Sequence, residues 1–389
     1  MALVRLLLIY LVAVMVVTVG VIWAVFEFNL LPFHKAEEKP PQIESLRRIV
    51  PPETRQAIDP AAEVLAIPAY ELEGRQFKAS PLPLSLPIDC EPGVDCWVFN
   101  FVDVDPGKGR ADFACGQMSY DTHKGTDIAL AHLGRLNDMV PVRAAAAGTV
   151  LGARDGMKDV SIRTTGRSSV KGKECGNGVR IDHGGGWHSQ YCHLKQGSVS
   201  VKPGDLVRVS DQIGAVGLSG LTEFPHLHIT VEKDGKVVDP FQGLSGGEKC
   251  DIGHAPLWRR EVLEKLHYLS AIPYNVGFAG HLPKVEQIRA GKLSTSSLSM
   301  NSKVLVFWAE IAGLRPKDFV SIRFFGLDGV LLAEKEETMA KHQIRKLLWI
   351  GKKSNGGWPP GAYWGEIIIS RETSAGPMTS RRVAHLDVF

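Results

Sequence analysis

The stretch NGVRIDHGGGWHSQYCHL, residues 177–194, predicts how the central part of this chain folds. Its first residues are strand-like, three consecutive glycines supply a flexible turn, and the segment from Trp187 onward alternates as a returning strand. A second hairpin is predicted over residues 227–238, where the dipeptide Asp234-Gly235 favours a tight turn. Short strands that are closely spaced and joined by turns predict a mainly β chain with an antiparallel sheet or sandwich.

A second β-rich region is predicted at the C-terminal end of the chain. Its strand-like segments are 303–311, 319–325, 330–333, 346–350 and 362–369. We therefore predict a C-terminal β-sandwich over residues 285–389. Residues 254–284 are interpreted as a linker with a short helix at 256–268, because apolar residues recur there at helical spacing.

An uncharged run from Leu6 to Phe26 is long enough for one transmembrane helix, which needs about 20 residues. Arg5 precedes this run, so the positive-inside tendency places the rest of the chain outside the cytoplasm. We expect residues 1–29 to be a single-pass anchor in the cell inner membrane, with the later domains in the periplasm. A cleaved signal peptide is the alternative, although the run lacks the small-x-small cleavage pattern. Residues 30–85 are Pro-rich and charged, which is typical of a spacer.

The charge and the cysteines indicate the environment of the protein. The formal net charge of +3 over 389 residues provides no basic field of the kind that attracts nucleic acid. Six cysteines in an exported chain indicate disulfides, and no C-x-x-C spacing supports a cysteine zinc site. We expect pairs between cysteines that flank a hairpin or lie close in sequence, with the last two left to each other: Cys175–Cys192, Cys90–Cys96 and Cys115–Cys250.

Three separated segments carry the residue types of a catalytic zinc site. HKGTD provides His123 and Asp127 with a glycine between them, YCHL provides His193, and HLH provides His226 and His228. The last two alternate along a predicted strand, so both side chains face one side. A catalytic zinc commonly takes three His or carboxylate ligands and keeps one position for water. Each segment alone is also explained by a loop, a strand edge or a hydrogen-bonded sheet histidine.

Taken together, five segments resemble the lysostaphin-type (LytM-like) zinc metalloendopeptidase family. In order they are HKGTD, PVRAAAAGTV, VRIDHGGGWHSQYCHL, VKPGDLVRVSDQIGAVG and PHLHITVEKDGKVVDP, within about residues 115–245. The resemblance implies that His123, Asp127 and His228 bind Zn²⁺, one ion per chain. It also implies that His193 and His226 are the catalytic histidines. Which of the two acts as the base and which stabilises the oxyanion stays open.

The same resemblance implies a function and an LytM-like zinc peptidase domain over residues 86–253. We expect a zinc endopeptidase that hydrolyses peptide bonds in peptidoglycan stem peptides or cross-links in the periplasm. The expected partners are peptidoglycan, the inner membrane through the N-terminal helix, and a protein partner through the C-terminal domain. A non-enzymatic activator or scaffold of another cell-wall hydrolase is the alternative. Cleavage of a protein substrate would use the same site chemistry.

Other polar residues near these segments have simpler interpretations. His183 lies at a turn and is expected to make a structural hydrogen bond. His188 precedes His193 by five positions, so strand alternation places it on the opposite face. Asp103 and Asp105 are interpreted as turn residues rather than calcium ligands, because the remaining acidic positions of a calcium loop are missing.

Overall fold

The computed structural model describes residues 72, 74–244, 250–266, 268–269, 271–373 and 376–389. In these residues the chain is mainly β, with antiparallel sheets and few, short helices, as the sequence predicts. The predicted transmembrane anchor and the spacer up to residue 71 lie outside them. Within the described part of the chain, no helix has both the length and the apolar character needed to cross a membrane.

An antiparallel sheet with the order β1-β2-β9-β6-β5-β4-β7 dominates the first half, with β10 paired to β9. Two further strands, β3 and β8, form a separate antiparallel pair. The bounds are β1 (Cys96–Asn100), β2 (Thr126–Leu130), β3 (Pro141–Arg143), β4 (Gly148–Arg154), β5 (Asn177–Gly184), β6 (Trp187–Leu194), β7 (Leu206–Val207), β8 (Gln212–Ala215), β9 (His226–Lys233) and β10 (Lys236–Val237).

The alternation of apolar and polar residues in β9 separates the two faces of this sheet. Leu227, Ile229 and Val231 are fully buried and join the apolar core below the sheet. His226 and His228 project from the opposite face, because successive side chains of a strand point to opposite sides. One face of the sheet is therefore packed core, and the other carries the polar groups described below.

The C-terminal strands form two sheets that share an apolar core. One sheet has the order β11-β13-β16, and the other has the order β12-β18-β17-β14-β15, in which β12 and β18 pair in parallel. Phe278 and Phe307 of the first sheet pack with Phe324 and Ile367 of the second. The bounds are β11 (Ile272–Ala279), β12 (Ser297–Leu298), β13 (Val304–Leu314), β14 (Phe319–Phe325), β15 (Leu331–Thr338), β16 (Gln343–Lys353), β17 (Gly361–Thr373) and β18 (Gly376–Val388).

Three short α-helices complete the described structure: α1 (Ile162–Thr165), α2 (Arg260–Leu263) and α3 (Val285–Arg289). The helix predicted over 256–268 is reduced to α2, because the backbone before it is extended and bonds to Leu84. Strand β11 lies in the segment interpreted as a linker. It is buried at nearly every position, so it lacks the period-2 pattern that marks a half-buried strand.

Three disulfides link the six cysteines, and all three were predicted. They join Cys90 to Cys96, Cys115 to Cys250 and Cys175 to Cys192. Cys90 and Cys96 also lie close to Asp95, but the disulfide leaves no thiolate there to bind a metal. The Cys175–Cys192 disulfide joins the segment before β5 to the end of β6, next to His193.

Candidate metal centre

Neighbouring strands bring the three predicted metal ligands together. Asp127 of β2 lies directly opposite His228 of β9 in the antiparallel register. Directly opposed residues of such a pair point to the same face of the sheet. His123, four residues before Asp127, closes the group from the loop that leads into β2. The register of two strands thus joins residues that are a hundred positions apart in sequence.

The candidate ligand atoms of these three side chains converge within a few ångströms. Asp127 Oδ1 lies 2.8 Å from His228 Nδ1 and 3.2 Å from His123 Nε2. The two histidine nitrogens are 3.2 Å apart. Neighbouring donors of a tetrahedral zinc site are roughly 3.3 Å apart, given metal–nitrogen distances of about 2.0–2.1 Å. The three donors therefore fit a zinc ion.

Hydrogen bonds to the far side of each candidate ligand fix its orientation. His123 Nδ1 donates to the carbonyl oxygen of Phe101 at 2.7 Å, so Nε2 is turned toward the cluster and carries the lone pair of the neutral ring. The amide of Asn100 donates to Asp127 Oδ2 at 2.8 Å, so the carboxylate presents its other oxygen. His228 Nε2 lies 3.0 Å from the hydroxyl of Thr230. Such outer partners orient metal ligands and tune their affinity.

Gly125 makes room for His228 in the centre of the HKGTD segment. A Cβ atom at this position would lie 2.7 Å from Cε1 and Nε2 of the His228 ring and 2.6 Å from the carbonyl oxygen of Ile229. A Cβ atom essentially never lies within 3.0 Å of a heavy atom that is not bonded to it. The glycine is needed here because the ring of His228, the candidate metal ligand on β9, occupies the space that a side chain at position 125 would take.

The two predicted catalytic histidines lie side by side next to this cluster. The ring centroids of His193 and His226 are 4.6 Å apart, and those of His193 and His228 are 5.9 Å apart. His226 Nε2 is 3.6 Å from Asp127 Oδ1. The structure thus gathers all five residues named from the sequence on one face of the sheet.

Both catalytic candidates are held in one tautomer by backbone carbonyls. His193 Nδ1 donates to Ser219 at 2.8 Å, and His226 Nδ1 donates to Phe224 at 3.0 Å. The hydroxyl of Thr222 is also 3.1 Å from His226 Nδ1. Because Nδ1 carries the proton in each ring, the Nε2 atoms carry the lone pairs.

Burial and neighbouring charges shift the pKa values in the site. Burial opposes ionisation of Asp127, but the nearby His123 and His226 hold its pKa well below its ordinary value. Burial, reinforced by His226 and His228, holds the pKa of His193 well below its ordinary value, and burial also lowers the pKa of His226. Near neutral pH both rings are therefore neutral and able to accept a proton.

A left-handed backbone conformation at His193 brings its ring into the site. Its φ is 64°, whereas the strand around it is extended. The sequence prediction that His188 and His193 occupy opposite faces was therefore wrong. His188 pairs with Glu232 of β9, and Cys192 pairs with His228, so His188 shares the face of the site. Strand alternation breaks at His193 because a positive φ reverses the direction of its side chain.

Other polar residues follow the structural interpretations made from the sequence. His183 is hydrogen-bonded to the carbonyl of Ala147 at 2.8 Å and to the hydroxyl of Ser189 at 2.7 Å. One carboxylate oxygen of Asp103 accepts the backbone N–H of Ala111, and the other accepts that of Thr122. Asp103 therefore organises the loop before His123.

Sequence reasoning missed the groups that support the site. Asn100 and Thr230 carry no motif of their own, and the carbonyls of Phe101, Ser219 and Phe224 are present in every residue type. These groups support the site only because the folded chain places them next to it. A signal for Asn100 existed in principle, because it is a polar residue at the end of a buried strand-like segment, CWVFN.

Comparison with known families matches residues 121–240 to peptidase family M23. This stretch contains the five clustered residues. Residues 121–240 of the chain are a peptidase family M23 domain. The family resemblance read from the sequence is thereby confirmed. The clustered His, Asp and His side chains can hold a metal ion, while the individual roles of the five residues remain predictions.

Two similar proteins and one similar solved structure each match part of the chain. An "Uncharacterized metalloprotease" of Buchnera aphidicola subsp. Baizongia pistaciae is 39% identical over 67 residues, 17% of this chain. The "Cell division protein DipM" of Caulobacter vibrioides is 34% identical over 113 residues, 28% of this chain. The matched regions span 17% of the length of each relative. The catalytic domain of lysostaphin from Staphylococcus simulans is a structural neighbour with a TM-score of 0.24 and 20% identity, covering 36% of this chain and 86% of that chain.

Proposed function

We propose that this protein is a zinc-dependent endopeptidase that binds one Zn²⁺ per chain and hydrolyses peptide bonds in peptidoglycan. The convergence of His123, Asp127 and His228, with two neutral imidazoles beside them, is the observation that carries the proposal. Three protein donors leave a position for water, which is the donor set of catalytic rather than structural zinc sites.

The residues divide the chemistry between them. Zinc, when bound, supplies a Lewis acid that polarises a carbonyl group and lowers the pKa of water. His193 and His226 each present an Nε2 lone pair, so one of the two rings can accept the proton that the attacking water gives up. Once protonated, either ring donates a hydrogen bond to the developing oxyanion or a proton to the departing amine. The carbonyls of Ser219 and Phe224 keep both rings oriented throughout.

The substrate and the location of the protein are part of the proposal. A membrane anchor at residues 1–29 followed by a spacer would hold the M23 domain in the periplasm, within reach of the cell wall. Stem peptides and their cross-links are the corresponding substrates. The C-terminal β-sandwich is proposed to contact a protein partner.

Digestion of purified peptidoglycan by the detergent-solubilised full chain tests this function. Mass spectrometry of the soluble fragments should identify the cleaved peptide bond, and metal analysis should give about one zinc per chain. His123→Ala should lose both zinc and fragment release. His188→Gln is a matched control, because His188 lies on the same sheet face but opposite Glu232, four residues along β9 from His228, and it should retain both.

Two results would contradict the proposed function. Full turnover by His123→Ala would refute zinc-dependent catalysis at this site. A wild-type chain that binds zinc but cleaves neither peptidoglycan nor protein substrates would instead support the non-enzymatic activator.

A further inference from the structure

An arginine of the C-terminal β-sandwich rests on the loop that orients His226. The guanidinium of Arg345, in β16, lies 4.4 Å from the ring centroid of Phe224. The same group lies 5.9 Å from the ring of Phe99 and 6.0 Å from that of Tyr274. A cation within about 6 Å of an aromatic ring is attracted to its face. The guanidinium of Arg345 is therefore in contact with an aromatic cluster of three rings, those of Phe224, Phe99 and Tyr274.

This aromatic cluster is in direct contact with two supports of the catalytic site. The ring of Phe224 is 4.7 Å from the ring of His226, and its carbonyl accepts the His226 Nδ1 proton. Phe99 packs 5.5 Å from Phe224 and precedes Asn100, the residue that holds Asp127. A displacement of the aromatic cluster would therefore be transmitted to the ring of His226 through a single residue, Phe224.

The guanidinium of Arg345 has no ion pair or hydrogen bond within the part of the chain that the structure describes, where its contacts are to aromatic rings. By contrast, Arg382 of β18 stacks on Trp97 at 4.7 Å and also bonds the carbonyls of Tyr274 and Val94. Removing the Arg345 side chain would leave no buried carboxylate or carbonyl without a partner. The position therefore allows a substitution with little general cost in stability.

We propose that Arg345 is a positioning residue for His226, acting through Phe224, so that the C-terminal β-sandwich helps to set the geometry of the catalytic site. The inference rests on the proposed function, because it depends on His226 taking part in catalysis. It gives the sandwich a role inside the chain, in addition to any contact with a partner.

The kinetic test compares substitutions at Arg345 in the zinc-loaded full chain. Arg345→Ala should lower kcat roughly 10-fold, as expected for an outer support of a site, with KM, Tm and zinc content unchanged. Arg345→Lys keeps a cation over the ring and should recover most of the loss. Ile344→Ala is the matched control, because this neighbour is 73% exposed on the same strand, and it should behave as wild type.

A double substitution tests the route through Phe224. If Arg345 acts through this ring, Arg345→Ala should cause no further loss of kcat in a Phe224→Leu background. Full additivity of the two effects would overturn the proposed route. Wild-type kcat in Arg345→Ala would overturn the proposal itself. If Arg345→Ala does not fold, Arg345→Met, which keeps the length of the side chain without its charge, takes its place.

A spectroscopic readout separates this inference from the proposed function. In an imidazole ¹H–¹⁵N correlation spectrum, the Nδ1–H of His226 that bonds to Phe224 can be assigned by its loss in His226→Gln. Its resonance should shift in Arg345→Ala and stay in place in Ile344→Ala. If wild type cleaves nothing, the endopeptidase proposal fails, but the spectrum still reports whether Arg345 orients the ring. An unshifted resonance would overturn the positioning role.

Discussion

Asp239 is expected to make the stability of this protein depend on pH. The residue is buried, and burial raises the pKa of its carboxyl group from 3.8 to about 7. Its Oδ1 accepts the backbone N–H groups of Phe241 and Gln242, at 2.7 and 3.1 Å. Its Oδ2 has no hydrogen-bond partner among the described residues. The folded state therefore favours the protonated, neutral form of the Asp239 carboxyl group.

The sign of the effect follows from the raised pKa. Between pH 3.8 and about 7 the folded state binds a proton that the unfolded state has released. The free energy of unfolding contributed by Asp239 is therefore fully present below pH 3.8 and is lost as pH rises through 7. The shift of the Asp239 pKa by about three units corresponds to about 4 kcal/mol of unfolding free energy. About 2.5 kcal/mol of this is lost between about pH 5 and pH 8.

Asp239→Asn removes this dependence while it keeps an acceptor for the two backbone N–H groups. The variant should gain about 2.5 kcal/mol relative to wild type when the pH is raised from about 5 to 8, measured by urea unfolding at each pH. Asp239→Ala should show the same pH-dependent gain on top of a constant loss, because it lacks the acceptor. A difference between Asp239→Asn and wild type that does not change with pH would refute the reasoning.

Three further substitutions test the site and its scaffold. Gly125→Ala should displace the His228 ring and lower activity by roughly 100-fold, measured as fragment release with zinc content determined in parallel. Asn100→Ala should weaken zinc binding roughly 10- to 100-fold in a chelator competition, because Asp127 loses its amide donor. Arg371→Met should lower the free energy of unfolding by roughly 3–5 kcal/mol, since it leaves a buried carboxylate of the β-sandwich without its cation, while a chain that still folds keeps its zinc.

Both faces of the sheet that contains β9 contribute to the geometry of the site. Leu227 and Ile229 anchor β9 in the core, and this fixes the register that places His228 opposite Asp127. A slip of one residue would turn the histidines of β9 into the core and the leucine and isoleucine out of it. Packing on the apolar face therefore determines the positions of the donors on the polar face.

Much of the fold was present in local sequence patterns. Strand β6 (Trp187–Leu194) and strand β14 (Phe319–Phe325) have the bounds that their sequences predicted, because each turns one face to a core and alternates accordingly. Strand β11 was missed because it is covered on both sides. Tyr274 packs in the core of the first half and Phe278 in that of the sandwich, so no alternation remains to be read.

The sequence alone named the candidate site residues His123, Asp127, His193, His226 and His228, because five segments in order, and not any single spacing, resemble one family. Only the tertiary structure decided how those groups are held. His193 enters the site through a backbone conformation that strand alternation does not predict, and its orientation depends on the carbonyl of Ser219. A backbone carbonyl is the same in every residue, so its role is set by where folding places it and not by the residue that bears it.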